Sequence, residues 1–244
     1  MNLLVAVPDT SYTNAARREV EALARGCGFD ERDIGRAALV GLELATNLAR
    51  HGGGGHLLLR AVKGPGTSGL EIISIDRGPG IADIARSLSD GFSTYGSAGV
   101  GLGAIRRQAD EFDIHSQIGP APGHGTAIFA RLWPGRRLPE EKLAQIGSVS
   151  VPKPEELVCG DAVAVVRAGT VVALMVVDGL GHGVAAQQAA IAACDVFEKA
   201  FVASPLLAAQ KTHAGLRATR GAAVGISNVD LASSIATFSG IGNI

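Results

Sequence analysis

In the stretch Gly41-Leu-Glu-Leu-Ala-Thr-Asn-Leu-Ala-Arg-His-Gly52, three polar residues recur at every fourth position: Glu43, Asn47 and His51. Residues four apart lie one turn apart on the same side of an α-helix. The stretch therefore predicts a helix that presents a carboxylate, an amide and an imidazole together, and this pattern is the strongest indication of function in the chain.

Two glycine-rich segments follow that helix, Asp76-Arg-Gly-Pro-Gly-Ile81 and Gly99-Val-Gly-Leu-Gly-Ala-Ile105. Glycine lacks a Cβ atom, so a backbone rich in glycine can approach a bound nucleotide closely. Along the chain, the helix with Glu43 and Asn47 comes first, the Asp-x-Gly-x-Gly segment second, and a glycine-rich helix start third.

Composition excludes several classes of protein. The 244 residues include 22 Lys and Arg against 23 Asp and Glu, interspersed along the chain, which does not resemble a nucleic-acid-binding surface. Apolar runs such as 171–177 are much shorter than the roughly 20 residues of a membrane span. The N-terminus does not resemble a signal peptide, and three scattered cysteines favour neither disulfides nor a Cys-pair zinc site. We expect a cytoplasmic protein without nucleic-acid or membrane partners.

Hydrophobic periodicity and turn residues predict a first domain over residues 1–133 that mixes helices and strands. Asp30 has the position of a helix N-cap, and the residues around 89–98 have the composition of a mobile lid. The predicted strands are 3–7, 56–62, 70–75, 112–117 and 126–132, and the predicted helices are 14–25, the helix after Asp30, 81–88 and 100–109.

Residues 134–145 carry two prolines and mixed charges, which is typical of a linker. A second domain over 146–244 is predicted to contain strands at 147–151, 157–167 and 170–177, an Ala-rich helix at 184–201, and a final hairpin of 222–229 and 231–238. The chain as a whole is assigned to the α+β class.

The chemistry of the first domain suits a nucleotide. The oxygen of Asn47 is a good ligand for Mg²⁺, which bridges phosphate oxygens, and Glu43 can take a proton from an attacking hydroxyl group. Asp76 can accept a hydrogen bond from the amine of adenine, with Gly78 and Gly80 leaving room for the ring. Backbone N–H groups at Gly99, Gly101 and Gly103 can bind phosphates at a helix start, and Thr126 can close the pocket.

Each feature alone also has a structural interpretation. Glu43 and Asn47 suit the solvated side of an amphipathic helix, Asp76 and its glycines suit a turn, and His51 suits a cation at a helix C-terminus. The three features together favour nucleotide binding. A Rossmann fingerprint fits badly because Gly99 does not follow a strand directly, and a P-loop fits badly because no Gly-Lys-Ser/Thr is present.

Residues 1 to about 133 resemble the Bergerat-fold ATPases, which include gyrase, the MutL proteins, histidine kinases and anti-sigma serine kinases. The stretch from Glu43 to Gly52 resembles the N-box of that family, and Asp76-x-Gly78-x-Gly80 resembles its adenine motif. The lid-flanking motif is matched by Gly99-x-Gly101-Leu102-Gly103 and the last motif by Gly123-x-Gly125-Thr126.

The resemblance implies an α/β sandwich that binds ATP with Mg²⁺. The small domain is most similar to RsbT-type and SpoIIAB-type switch proteins, which phosphorylate a serine of an antagonist protein or bind a partner in a nucleotide-dependent way. A bacterial partner-switching pathway is then implied, with an antagonist protein and a sigma factor as candidate partners. A homodimer is compatible with this assignment.

The second domain contains two candidate metal ligands. Carboxylates at strand ends, Asp161 and Asp178, can hold a pair of Mn²⁺ or Mg²⁺ ions for phosphate-ester hydrolysis, although Asp178 alone also suits a turn. Together with Gly181-His182-Gly183 they resemble SpoIIE/RsbX-type serine phosphatases, in which Asp161, Asp178 and Gly179 would match the first metal positions. Further metal-binding aspartates of that family are lacking before Ile244, and Asp230 in a predicted turn is a poor substitute. We therefore expect a partial, C-terminally truncated phosphatase-like β-sandwich with flanking helices.

Three functions remain open from the sequence. The first is transfer of phosphate from ATP to a serine of an antagonist protein. The second is nucleotide-dependent protein binding without efficient transfer. The third is metal-dependent phosphoserine hydrolysis by the full-length protein.

Overall fold

The computed structural model describes residues 2–64, 66–89, 101–119, 123–136, 146–153, 155–199 and 204–244. These residues form two compact units, Met1–Glu140 and Glu141–Ile244. The predicted α+β class is confirmed, since each unit combines helices with an antiparallel sheet. None of the helices within these ranges is long and apolar enough to cross a membrane.

The first unit contains a five-stranded antiparallel sheet in the order β1-β2-β3-β5-β4. The strands are β1 (Asn2–Val7), β2 (Gly55–Gly64), β3 (Thr67–Asp76), β4 (Glu111–Gln117) and β5 (Gly125–Leu132). The helices are α1 (Thr13–Gly26), α2 (Glu31–His51), α3 (Ile84–Ser87) and α4 (Leu102–Gln108). All of them lie where the sequence predicts, because caps and glycines bound them locally. Their ends differ from the predicted ends by a few residues.

The long helix α2 begins and ends at residues that the sequence identifies. The Asp30 side chain accepts a hydrogen bond from the backbone N–H of Asp33 at 2.8 Å, as an N-cap does. At the other end Gly53 and Gly54 adopt positive φ angles, and the N–H of Gly54 donates to the carbonyl of Leu48 at 2.9 Å. The helix therefore stops immediately after the polar residues it carries.

The core of the first unit lies between α1 and α2 and one face of the sheet. Val20, Leu44, Leu59 and Ile72 are fully buried there, one from each of four elements. A Cβ atom on Gly41 would lie 2.8 Å from Cγ2 of Val20, so glycine permits the close approach of α1 and α2. This packing fixes α2 against α1 and the sheet.

The second unit contains a four-stranded antiparallel sheet in the order β6-β7-β8-β9. Its strands are β6 (Asp161–Ala168), β7 (Val171–Gly179), β8 (Ala222–Asp230) and β9 (Ile235–Ile241), and its helices are α5 (Gly183–Lys199) and α6 (Pro205–Gly215). Small side chains of α5, such as Ala190 and Ala193, pack with Met175 and Ile226 of the sheet. Within its described residues, this unit has one sheet.

Four sequence predictions for the second unit are corrected. Residues 147–151 form no strand, the strand predicted from residue 157 begins at Asp161, and the strand predicted from residue 231 begins at Ile235. Short apolar runs do not form strands without a neighbour to supply hydrogen bonds. Helix α6 was not predicted, although Ser204 caps it and Pro205 occupies its first turn, which is a recognisable start signal.

Candidate functional site

The second half of α2 carries the three polar residues of the sequence motif. Glu43 and Asn47 are half-buried and His51 is exposed. Burial raises the pKa of the Glu43 carboxyl above the ordinary glutamate range, and the positive charge of Arg50 partly opposes that rise. The carboxylate is therefore a stronger base than an exposed glutamate.

The amide of Asn47 is incompletely hydrogen-bonded. Its Nδ2 atom is buried and has no hydrogen-bond partner in the part of the chain that the structure describes. A buried polar atom without a partner is unusual in a folded protein and points to a missing ligand or water. Rotation of the amide by 180° exchanges its oxygen and nitrogen, so the side chain is free to present either atom.

Asp76 is the last residue of β3, as the sequence predicts. Its Oδ1 atom accepts hydrogen bonds from the backbone N–H groups of Gly78 at 2.8 Å and of Thr126 at 3.1 Å. Two amide donors fix the orientation of the carboxylate. The adenine motif and the last motif thus meet at one oxygen atom.

The end of α2 packs directly against the Asp76 loop. A Cβ atom on Gly52 would lie 2.6 Å from Cβ of Asp76, and one on Gly78 would lie 2.8 Å from Cα of Gly52. Only glycine allows this contact without displacement of the neighbouring backbone. The structure therefore brings the helix motif and the Asp-x-Gly-x-Gly motif together.

Two side chains that the sequence analysis did not identify hold the same loop. His124 Nδ1 lies 2.5 Å from the carbonyl oxygen of Gly78, and Ser116 Oγ accepts a hydrogen bond from the N–H of Ile81 at 2.7 Å. His124 lies within the glycine-rich turn before Thr126, which is a weak signal. Ser116 is one polar residue on an alternating strand, and nothing in its local sequence indicates the role.

The predicted phosphate-binding segment is described in part. Gly99 lies outside the described residues. Gly101 is the N-cap of α4, and no side chain caps that helix. Leu102 packs against the hydrophobic core and Gly103 is buried. The predicted helix start is therefore present two residues later than expected, at Leu102 instead of Val100.

In the second unit, the two predicted metal ligands are direct neighbours. Asp161 of β6 pairs in register with Asp178 of β7, and both side chains are exposed. Facing side chains of paired strands lie on the same side of a sheet. Over the described ranges no group of three or more His, Cys, Asp or Glu residues is arranged to hold a metal ion.

The surroundings of these carboxylates are fixed by close packing. Cys159 Sγ lies 3.7 Å from Asp161 Oδ2, and burial raises the pKa of the Cys159 thiol. The N–H of Gly179 donates to the carbonyl of Gly160 at 3.1 Å, and a Cβ atom on Gly179 would lie 2.2 Å from the carbonyl oxygen of Ala186. Gly179 is therefore required for the start of α5 to approach β7.

Asp230 is engaged elsewhere, at the turn between β8 and β9. Its carboxylate accepts hydrogen bonds from the hydroxyl groups of Ser233 and Thr170 and from the N–H of Ala232, and these bonds lower its pKa. It is the last residue of β8, and it caps the turn that follows.

Comparison with known proteins gives the following relatives. Residues 6–131 match the family model of the histidine kinase-like ATPase domain. Over 119 residues the chain is 40% identical to the serine/threonine-protein kinase RsbT of Bacillus subtilis (strain 168), and the aligned part is 49% of this chain and 86% of RsbT.

Solved structures with similarity include a chain of the bacterial stressosome, with 34% identity, a TM-score of 0.38 and coverage of 39% of this chain and 50% of that chain. RsbX in complex with magnesium has 22% identity, a TM-score of 0.37 and coverage of 39% and 48%. The chain spans about half the length of these two solved chains.

Proposed function

This chain belongs to the family of histidine kinase-like ATPase domains over residues 6–131, and from that premise we propose that it is an ATP-dependent protein-serine kinase of a bacterial partner-switching pathway. The 40% identity to the kinase RsbT supports this assignment. The observation that carries it is the meeting of Asp76, Gly78 and Thr126 at one carboxylate oxygen, beside the helix that presents Glu43 and Asn47.

In this proposal the base of ATP lies against the Asp76 loop. Asp76 accepts a hydrogen bond from the exocyclic amine, Gly78 and Gly80 leave space for the ring, and Thr126 bounds the pocket. Gly80 has a positive φ angle, and a Cβ atom there would lie 2.5 Å from the carbonyl oxygen of Gln117, so the loop requires glycine at this position. The backbone at Gly99, Gly101, Leu102 and Gly103 is proposed to bind the phosphates.

Asn47 is proposed to hold Mg²⁺ on the nucleotide. The residue fits this role because its amide has a buried atom without a hydrogen-bond partner within the described ranges and can turn its oxygen toward a ligand. When bound, Mg²⁺ would neutralise negative charge on the phosphate groups of the nucleotide. Asn47 would orient that ion one helical turn from Glu43.

Glu43 is proposed as the catalytic base. Its carboxylate would accept the proton of the incoming serine hydroxyl as the new O–P bond forms and the bond to ADP breaks. Its raised pKa suits this task because a stronger base removes the proton more readily.

Calorimetric titration of ADP and ATP, with and without Mg²⁺, tests the pocket. We expect micromolar binding that Asp76→Asn weakens by about tenfold to a hundredfold and that Asn47→Ala makes insensitive to Mg²⁺. A folded chain that binds neither nucleotide would contradict the kinase proposal.

The alternative is a nucleotide-dependent binding module without efficient transfer. Incubation with γ-labelled ATP and proteins of the source cells, followed by phosphoserine mapping, separates the two. In the kinase, Glu43→Ala abolishes labelling of the antagonist while ADP still binds. If the chain is only a binding module, neither the wild type nor Glu43→Ala labels a serine, and capture of a partner depends on the nucleotide present.

A second candidate function concerns the other unit, Glu141–Ile244. The facing pair Asp161 and Asp178 favours a metal-dependent phosphatase-like domain over residues 146–244, with Mn²⁺ or Mg²⁺ as the metal and Gly179 beside it. Mn²⁺-dependent release of phosphate from a phosphoserine protein, lost in Asp178→Asn, would support it. The matched control is Asp195→Asn, which alters an exposed carboxylate on α5.

A further inference from the structure

Ser116 lies near the end of β4, directly opposite Thr126 of β5. Its Oγ atom has three polar neighbours. It accepts a hydrogen bond from the N–H of Ile81 at 2.7 Å, it lies 2.8 Å from Oγ1 of Thr126, and it lies 3.2 Å from the carbonyl oxygen of Gly125. One hydroxyl group thus joins the Asp76–Ile81 loop to the residue that bounds the base pocket.

Counting hydrogens fixes the direction of each bond. A serine hydroxyl has one hydrogen to donate and two lone pairs to accept with. The N–H of Ile81 can only donate and the carbonyl of Gly125 can only accept, so the one hydrogen of Ser116 points to Gly125. All three contacts are hydrogen bonds only when Thr126 donates its own hydrogen to Ser116.

This assignment determines what Thr126 offers to a ligand. With its hydrogen directed to Ser116, its Oγ1 atom presents lone pairs only. Asp76, whose Oδ1 atom is bound to the N–H of Thr126, is also an acceptor. The polar groups at this corner of the pocket therefore match a ligand edge that donates hydrogen bonds, such as the 6-amino group of adenine. They disfavour binding of guanine, because the oxygen of its 6-carbonyl group is also an acceptor and cannot form a hydrogen bond with them.

We propose that Ser116 is a specificity-determining residue, which orients the Thr126 hydroxyl so that the pocket selects adenine over guanine nucleotides. The inference rests on the nucleotide-binding function proposed above. Ser116 acts through Thr126 and needs no contact with the base itself. Without Ser116, the Thr126 hydroxyl is free to rotate and can donate to a guanine carbonyl.

The test is the ratio of the dissociation constants for GDP and ADP, measured by calorimetry in the full chain. Ser116→Ala is expected to lower this ratio by about tenfold, because the Thr126 hydroxyl can then donate a hydrogen bond to the guanine carbonyl instead of facing it as a second acceptor. Thr126→Val, which removes the hydroxyl itself, should also lower the ratio. Adding Ser116→Ala to Thr126→Val should then change the ratio no further, since both act on the same group.

The matched control is His124→Ala. It removes the other side chain that holds the loop, at Gly78, and does not touch the Thr126 hydroxyl. It should weaken ADP and GDP binding together and leave the ratio unchanged. A merely structural role for Ser116 would give the same result as this control.

The outcomes separate the two proposals. If wild-type chain binds ADP and Ser116→Ala leaves the ratio unchanged, the role of Ser116 is wrong and nucleotide binding stands. If Ser116→Ala does not fold, an unchanged ratio in Thr126→Val overturns the inference equally. If folded wild-type chain binds no ADP, the proposed function itself fails.

Discussion

The backbone N–H of Thr126 donates a hydrogen bond to Oδ1 of Asp76 at 3.1 Å, across 50 residues of sequence. The bond joins the first residue after Gly125 in β5 to the last residue of β3, two strands that are neighbours in the sheet. It fixes the direction of the carboxylate, which can then accept a hydrogen bond from a ligand.

Asp76→Asn should weaken ADP binding by about tenfold to a hundredfold with little change in melting temperature. The oxygen of asparagine can keep both amide bonds, to Gly78 and Thr126, but its NH₂ group then replaces the second oxygen and opposes the adenine amine. Calorimetric titration of ADP measures the loss. Asp113→Asn changes an exposed carboxylate on the same sheet and should bind ADP as wild type does.

Gly125→Ala should cost about 3 kcal/mol of unfolding free energy. Gly125 has a φ of +140°, and a Cβ atom there would lie 2.2 Å from the carbonyl oxygen of Asp76. Urea titration followed by fluorescence of Trp133, the only tryptophan of the chain and a buried residue of the first unit, reports this change.

Gly123→Ala is the control for that measurement. Its φ of +122° is also unfavourable for alanine, but a Cβ atom there would meet open space, so the cost should be about 1 kcal/mol. Equal losses at the two positions would show that backbone strain, and not the contact with Asp76, limits stability.

Arg36→Ala should destabilise the first unit by about 3–5 kcal/mol. Arg36 is 8% exposed and forms ion pairs with Asp33 at 3.1 Å and with Asp110 at 2.8 Å, and it also donates to the carbonyl of Trp133. Its removal would leave the buried carboxylate of Asp33 without a cation, and Asp110 would keep only its ion pair with Arg136 at 2.9 Å. The same urea titration measures it.

Arg32→Ala, an exposed position one turn earlier on α2, should change stability by less than about 0.5 kcal/mol. If both arginine variants lost equally little unfolding free energy, the buried ion pairs would make no net contribution to the stability of the fold.

Glu43→Gln should raise the melting temperature at pH 7 while abolishing phosphate transfer. Burial raises the pKa of Glu43, so the folded state prefers the protonated carboxyl. The charged form costs stability above the folded-state pKa, and that cost vanishes below the unfolded-state pKa. The advantage of glutamine should therefore disappear as the pH falls through the glutamate range.

Thermal unfolding at pH 7 and at pH 4 measures this difference. Glu19→Gln, at an exposed position on α1, should leave the melting temperature unchanged at both values. A gain for Glu43→Gln that persisted undiminished at pH 4 would show that the charge of Glu43 is not its cause.

The sequence by itself determined the elements of the first unit. Asp30 as a cap and the glycines after His51 bound α2, and the apolar strand before Asp76 places that residue at a strand end. Such signals act over a few residues, because caps, turns and periodicity depend on local backbone geometry. The motif order was therefore readable without any knowledge of packing.

Tertiary structure alone decided which side chains meet. The bonds of Asp76 to Thr126, His124 to Gly78 and Ser116 to Ile81, and the facing pair Asp161 and Asp178, all depend on strand register or on loops that pack together. Register is set by burial of whole strand faces, and a shift of one residue would turn each of these side chains to the other face. No local pattern carries that information, which is why Ser116 emerges only from the fold.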